Sequence, residues 1–351
     1  MRSKKFIRKF ICPAAMLLVA GMLSGCGSVP ELTAKASAMI QELDFDGALA
    51  ELDKAMEAGE NARQVERCRG IAYMGLTEYD KAVECFQNAL RTSNGILQDF
   101  DFDTNFYLAA AYTKLGRYAE AQERYDAILA LRSGEADAHF LRGNARMNLG
   151  NFTGAIEDFE QVISLEPKNY DRLIEIYEVL AHFGYKEAGQ EYLRTALASG
   201  DKQMDNYVIG RIYYYLGEYQ KAYLALEEAR EKGGVKSYLY LGRSYEATGD
   251  YNYAASVYNN YLSKYDGNAE VYNQLGLCEM MKGEYRKALE AFQAGMKLGQ
   301  SEMLQTLSFN EIIAYEHLGE FQQARALMDN YVKNYPDDEQ ARREYGFLST
   351  R

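Results

Sequence analysis

The stretch Phe140–Pro167, FLRGNARMNLGNFTGAIEDFEQVISLEP, carries a pattern that the rest of the chain repeats. Its Phe152 is followed three residues later by Ala155. The same aromatic–alanine pair stands at Phe45/Ala48, Tyr79/Ala82, Tyr118/Ala121, Tyr185/Ala188, Tyr219/Ala222, Tyr251/Ala254, Tyr285/Ala288 and Phe321/Ala324. Successive aromatics lie 34, 39, 34, 33, 34, 32, 34 and 36 residues apart. Such a period, kept over nine units, predicts a solenoid of stacked helical hairpins.

Each helix of such a hairpin is amphipathic and must bury its apolar stripe against a neighbour. Alanine after the aromatic lets the second helix (B) approach the first (A). Glycine at Gly70, Gly143, Gly210, Gly242 and Gly276 does the same from the helix A side. A mid-helix glycine costs about 1 kcal/mol against alanine, so its recurrence implies a close crossing. The glycine two before the aromatic, as at Gly150, permits the positive φ that ends helix A. Phe86, Tyr125, Phe159, Leu226, Tyr258, Phe292 and Met328 are expected to fill the space between units.

These residues resemble the tetratricopeptide repeat family. Gly210–Tyr213–Ala222 and Gly242–Tyr245–Ala254–Tyr258 follow the family pattern, and Pro167 and Pro336 fall at its proline position. The resemblance covers about Ala34 to Tyr331. It implies an all-α fold, a right-handed superhelical solenoid of about nine hairpins over 33–336, closed by a capping helix within 337–351. Asp337 and Asp338 are candidate caps for that helix. Repeat five is the most degenerate, with Ile176 or Tyr177 in place of the helix A glycine. The insertion between Arg91 and Asp103 reads as a longer turn whose Phe100 and Phe102 tuck against the stack, or as a projecting contact element. Nine hairpins and a cap read as one elongated domain.

The first 25 residues are of another kind. Arg2, Lys4, Lys5, Arg8 and Lys9 precede an apolar run from Ile11 to Leu23 that is too short to span a bilayer. Leu23-Ser24-Gly25-Cys26 resembles the lipobox of bacterial lipoproteins, which implies a signal over 1–25 and a lipid on Cys26. Residues 26–32 then form the lipidated start and a short linker. The expected location is the cell envelope, on the extracytoplasmic side of a membrane.

Five of the 39 Lys and Arg residues lie in that leader and no acid does, leaving 34 against 51 and a net charge of −17. So acidic a chain is unsuited to nucleic acid. Cys68, Cys85 and Cys278 sit at helical positions that suggest reduced core thiols. No metalloprotease, CxxC, nucleophile-elbow or P-loop pattern occurs, and His139, His182 and His317 lack sequence partners at ligand spacing. The acids read as solvated helical faces. Neither an enzyme nor a cofactor or metal site is expected.

Tyrosine is abundant, 30 of 351 residues. The family resemblance implies a concave groove lined by helix A residues, carried here onto Phe106, Phe140, Asn144, Tyr177, Tyr207, Arg211, Tyr214, Lys236 and Arg243. Met147, Asn148, Tyr170, Tyr215 and Met280 occupy related positions. Asn144, Arg211, Lys236 and Arg243 only partly echo the clamp by which some relatives hold a peptide carboxylate. The expected function is a monomeric interaction scaffold binding a peptide or protein segment. A role in assembling pili or outer-membrane proteins, or glycan binding, is the alternative.

Overall fold

The computed structural model describes residues 31–91, 97–202, 204–231 and 233–350. The proposed leader, Cys26 and residues 92–96 of the insertion lie outside them. Nineteen α-helices and no strands are found among the described residues, and the chain divides into two compact units, 1–169 and 170–351. The periodicity alone suggests one domain. The division falls where the degenerate fifth repeat begins.

The first unit holds four hairpins: α1 (Glu31–Gln41) with α2 (Phe45–Glu57), α3 (Ala62–Gly75) with α4 (Tyr79–Arg91), α5 (Asp99–Lys114) with α6 (Tyr118–Leu131), and α7 (Ala136–Asn148) with α8 (Phe152–Leu165). The second holds five more: α9 (Tyr170–His182) with α10 (Lys186–Ala198), α11 (Asn206–Leu216) with α12 (Tyr219–Ala229), α13 (Gly234–Ala247) with α14 (Tyr251–Lys264), α15 (Ala269–Met281) with α16 (Tyr285–Lys297), and α17 (Ser301–His317) with α18 (Phe321–Asn334). A last helix, α19 (Glu339–Leu348), follows. Asp338 caps it, accepting from the backbone N–H groups of Gln340 and Ala341. Helix formation begins at Glu31, two residues ahead of the expected start.

The fourth hairpin shows why the repeat looks as it does. Asn151 Oδ1 accepts from Gly154 N at 3.0 Å and starts α8. Gly150 ends α7 at φ 76°, and residues of positive φ recur at the same place in every hairpin. In the first two hairpins that place is held by Leu43 at φ 64° and Thr77 at φ 62°, which bear a side chain where glycine is unstrained. Ala155 is fully buried, and Phe159 lies against Gly143, whose added Cβ would stand 2.7 Å from the ring. Phe86, Leu226, Tyr258 and Phe292 meet Gly70, Gly210, Gly242 and Gly276 in the same way. The bulky helix B residue therefore fills a notch inside its own hairpin, and not only the space between units.

Hairpin five solves this packing by exchange. Tyr177 stands at the glycine place of helix A, and Gly189 stands opposite it on α10, with room for a Cβ only 3.0 Å from Tyr177. Ala188, the residue given that role by the sequence pattern, is only half-buried. Large and small have changed sides.

The insertion is largely helical where it is described. Phe100 lies under the guanidinium groups of Arg63 and Arg67, 4.7 and 4.3 Å from its ring centre, and Phe102 under Arg132 at 3.6 Å. Arg63 also donates to the buried Asp101. Both phenylalanines thus tuck against the stack. Cys68, Cys85 and Cys278 are free and buried, and burial pushes all three thiols up. No described helix is long and apolar enough to cross a membrane.

Candidate functional site

The groove positions read from sequence separate into two sets, because Phe106, Phe140, Asn144, Met147 and Asn148 belong to the first unit and the others to the second. In the first unit packing consumes most of them. Phe140 is 3% exposed, with its ring 6.1 Å from that of Phe159, and Met147 is also buried. Both face the core, which corrects their assignment to an open groove. Phe106 is half-buried against Tyr125, and Asn144 accepts from the Asn148 amide.

The acids of this unit are not all on solvated faces. Asp158 is 1% exposed and accepts from Arg142 Nη2 at 2.6 Å, Arg146 Nη1 at 2.9 Å and the His139 ring at 3.1 Å. His139 therefore has an acidic partner, 19 residues away on the facing helix. Arg142 also donates to Asp126 of α6 at 2.7 Å. The cluster is a buried, nearly neutral brace. No group of three or more metal-ligating side chains occurs among the described residues.

In the second unit the helices α9, α11 and α13 lie side by side and bring tyrosines together. Tyr215 lies 5.1 Å from Tyr177 and 5.9 Å from Tyr240, and Tyr214 lies 5.5 Å from Tyr240, all measured between ring centres. Nothing in the sequence pattern singles out Tyr240. Tyr177, at 7% exposed, forms the floor and not the lining, since it fills the glycine place of its hairpin. Tyr215 donates to Glu178, and its oxygen lies 2.8 Å from the Tyr240 hydroxyl. Burial pushes the Tyr207 hydroxyl up to about 12 and those of Tyr214 and Tyr215 upward. These three hydroxyls stay protonated at neutral pH.

The two arginines each have a carboxylate from a neighbouring helix A. Arg211 donates to Asp171 of α9 and lies 5.1 and 5.5 Å from the ring centres of Tyr207 and Tyr240. Burial works against its charge, but Asp171 and the two tyrosines outweigh it and hold the guanidinium protonated. Arg243 donates to Glu270 of α15 at 2.6 Å. Glu246, one turn further along the same helix, accepts from the Tyr258 hydroxyl at 2.5 Å. Lys236 is exposed. Tyr170 donates to Asp201 at 2.6 Å.

Part of the tyrosine excess is explained by the repeat itself. Lys81 covers the Tyr73 ring at 5.2 Å and Lys221 covers Tyr213 at 5.3 Å. In the seventh hairpin Tyr253 holds that place and stacks on Tyr245, which stacks in turn on Tyr223. An aromatic ring there replaces a cation over the same face.

Comparison with known proteins follows the same lines. A tetratricopeptide repeat model matches residues 69–121, 107–170, 207–269 and 239–301, and a second one matches 309–338. RNA polymerase II-associated protein 3 of Xenopus tropicalis is 30% identical over 138 residues, covering 39% of this chain and 19% of that protein. A TPR repeat-containing protein, MJ1428, of Methanocaldococcus jannaschii is 26% identical over 235 residues, covering 60% of this chain and 40% of that one. The chain thus spans less than half the length of these curated relatives. Among solved structures, a tetratricopeptide repeat protein from Parabacteroides merdae is 16% identical with a TM-score of 0.48, covering 79% of this chain and 96% of that one. YrrB, described as a TPR protein with an unusual peptide-binding site, is 22% identical with a TM-score of 0.40, covering 50% and 89%. With family matches over more than half of its length and the helical hairpins they imply, the chain belongs to the tetratricopeptide repeat family.

Proposed function

We propose that this protein is anchored by a lipid on Cys26 to the extracytoplasmic side of a bacterial membrane. There it holds an extended segment of a partner protein on the α9–α11–α13 face of its second unit. Members of the family act through protein–protein interaction. The observation that carries the finer reading is the convergence of Tyr207, Tyr214 and Tyr215 on Tyr240, with Arg211 beside the Tyr207 and Tyr240 rings. Half-buried tyrosines lose little entropy on binding and present an apolar body with a polar tip. Tyrosine and arginine are also the residues on which interface energy concentrates. The fold alone does not require four such rings on adjoining helices.

The reading is tested with an array of ten-residue peptides and the full chain from Cys26 onward. Tyr214→Ala weakens capture of the best binders at least about tenfold, an effect of the size seen at interface hot spots. Tyr253→Ala, at a ring 63% exposed elsewhere in the unit, leaves capture unchanged. Equal loss in both variants, or none in Tyr214→Ala, contradicts the assignment.

The anchor rests on the lipobox-like Leu23–Cys26 behind a basic and then apolar leader. Cys26→Ala is expected to abolish incorporation of labelled palmitate and to release the protein from the membrane fraction. An unlabelled wild type, or a variant that still sediments with membranes, removes this part of the proposal.

A further inference from the structure

On the peptide-holding reading, the two arginines of the tyrosine face are not equivalent. Arg243 has acceptors at both Nε and Nη2. Beyond its bond to Glu270, the side-chain oxygen of Gln274, in the orientation its surroundings require, accepts from Arg243 Nε and Nη2, both at 3.1 Å. Arg211 does not. Its Nη1 donates to Asp171, while its buried Nε has no acceptor. The hydroxyl of Tyr207, whose ring lies under the same guanidinium, is also buried without a partner. Two unpaired polar groups in one cluster are rare, because each keeps its desolvation cost uncompensated.

The exposures say which member of the ion pair is fixed. The Arg211 side chain is 11% exposed and that of Asp171 is 73% exposed. The cation is built into the face, and the carboxylate lies on its solvent side, held through one nitrogen. Glu178, on the same helix as Asp171, is already engaged by Tyr215. A second carboxylate arriving at Arg211 can therefore replace Asp171 without adding a charge to the site, since Asp171 returns to water. Its two oxygens can meet Nη1 together with Nη2, the end-on fork that favours arginine for carboxylates, or Nη1 together with the Tyr207 hydroxyl.

We propose that Asp171 is a stand-in, and that an aspartate or glutamate side chain of the bound segment displaces it from Arg211 Nη1 and completes the hydrogen bonding of the Tyr207 hydroxyl. The rings of Tyr214 and Tyr240 beside the site select apolar residues next to that acid. An internal side chain is assigned, and not a chain terminus, because the group it replaces is itself a side-chain carboxylate on a passing backbone.

The test uses ten-residue peptides carrying a central Glu, Gln or Lys in varied apolar surroundings, made as C-terminal amides, with a parallel free-acid set. The wild-type chain is expected to prefer Glu over Gln peptides by about fivefold or more, the scale of one partly buried charged hydrogen bond. Asp171→Asn raises Glu-peptide affinity several-fold, since the built-in competitor is gone, and a damaged fold does not produce a gain. Arg211→Gln abolishes the Glu preference while Gln-peptide binding persists, whereas Arg243→Gln keeps the preference. Equal binding of Glu and Gln peptides, weaker Glu-peptide binding by Asp171→Asn, or a preference that follows only the free C-terminus overturns the proposal. Peptide capture that is indifferent to Tyr214→Ala overturns the peptide-holding reading itself, and this proposal with it.

Discussion

Asp158→Ala destabilises the first unit by about 3–5 kcal/mol, the cost of stripping a buried ion pair of one partner. Asp158 is the common acceptor for Arg142, Arg146 and His139, and it sits beneath them at 1% exposed. Without it Arg146 keeps only the Gly154 carbonyl, and Arg142 keeps only Asp126. Both guanidinium groups are mostly buried, with side chains 16 and 17% exposed, so water cannot fully replace the lost carboxylate. Hydrogen exchange is the measurement of choice, since two compact units need not unfold together. Amides of α7 and α8 should lose protection while those of α15 and α16 keep theirs. A loss under about 1 kcal/mol would mean that the cluster behaves as an exposed surface pair.

Phe292→Ala produces a loss of similar size in the second unit, about 3–5 kcal/mol. The ring is 1% exposed and occupies the notch left by Gly276 on the facing helix α15. Alanine leaves a cavity that the backbone-tight crossing cannot collapse to fill. Restoring volume from the other side identifies the cause. Gly276→Ala worsens the wild type, where its Cβ meets the ring, and is better tolerated in the Phe292→Ala background. Additive effects of the two substitutions, measured by urea unfolding, would show that the residues do not share a notch.

The fold is legible in the sequence because its determinants are local and recur. Gly150 and its counterparts must take positive φ, and Gly143 faces Phe159, so each hairpin writes the same residues at the same offsets. What escapes such a reading is what compensates across a distance. The exchange of Tyr177 with Gly189 keeps the volume of hairpin five but breaks its signature, and so Tyr177 reads as a groove residue when it is a packing one. Leu43 and Thr77 show that a left-handed turn can be enforced by the stack without glycine. The partners of Arg211 and Arg243 lie 40 and 27 residues away, on neighbouring A helices, where no sequence spacing announces them. Tyr240 escapes for the same reason. It joins the cluster only because α11 and α13 are adjacent. The acids read as uniformly solvated, whereas Asp158, Glu51 and Glu279 are buried beside cations.

Near the end of the chain an acidic pair adds a pH dependence. Burial and the neighbouring Glu344 push the Glu316 carboxyl up to about 8. A carboxyl raised in the folded state favours folding at low pH, so the attachment of α19 should weaken as pH rises from about 4.5 towards 8.

On the proposed function, a partner segment lies on the tyrosine face of the second unit. That docking is tested most directly by placing a photo-crosslinking phenylalanine analogue at position 214 in the full chain in intact cells, with the exposed helix B position 259 as control. Mass spectrometry should find a partner peptide joined at 214 and none at 259, with the acidic residue of that peptide within a few positions of the crosslink. Adducts of equal yield at both positions, or adducts at 259 alone, would contradict it.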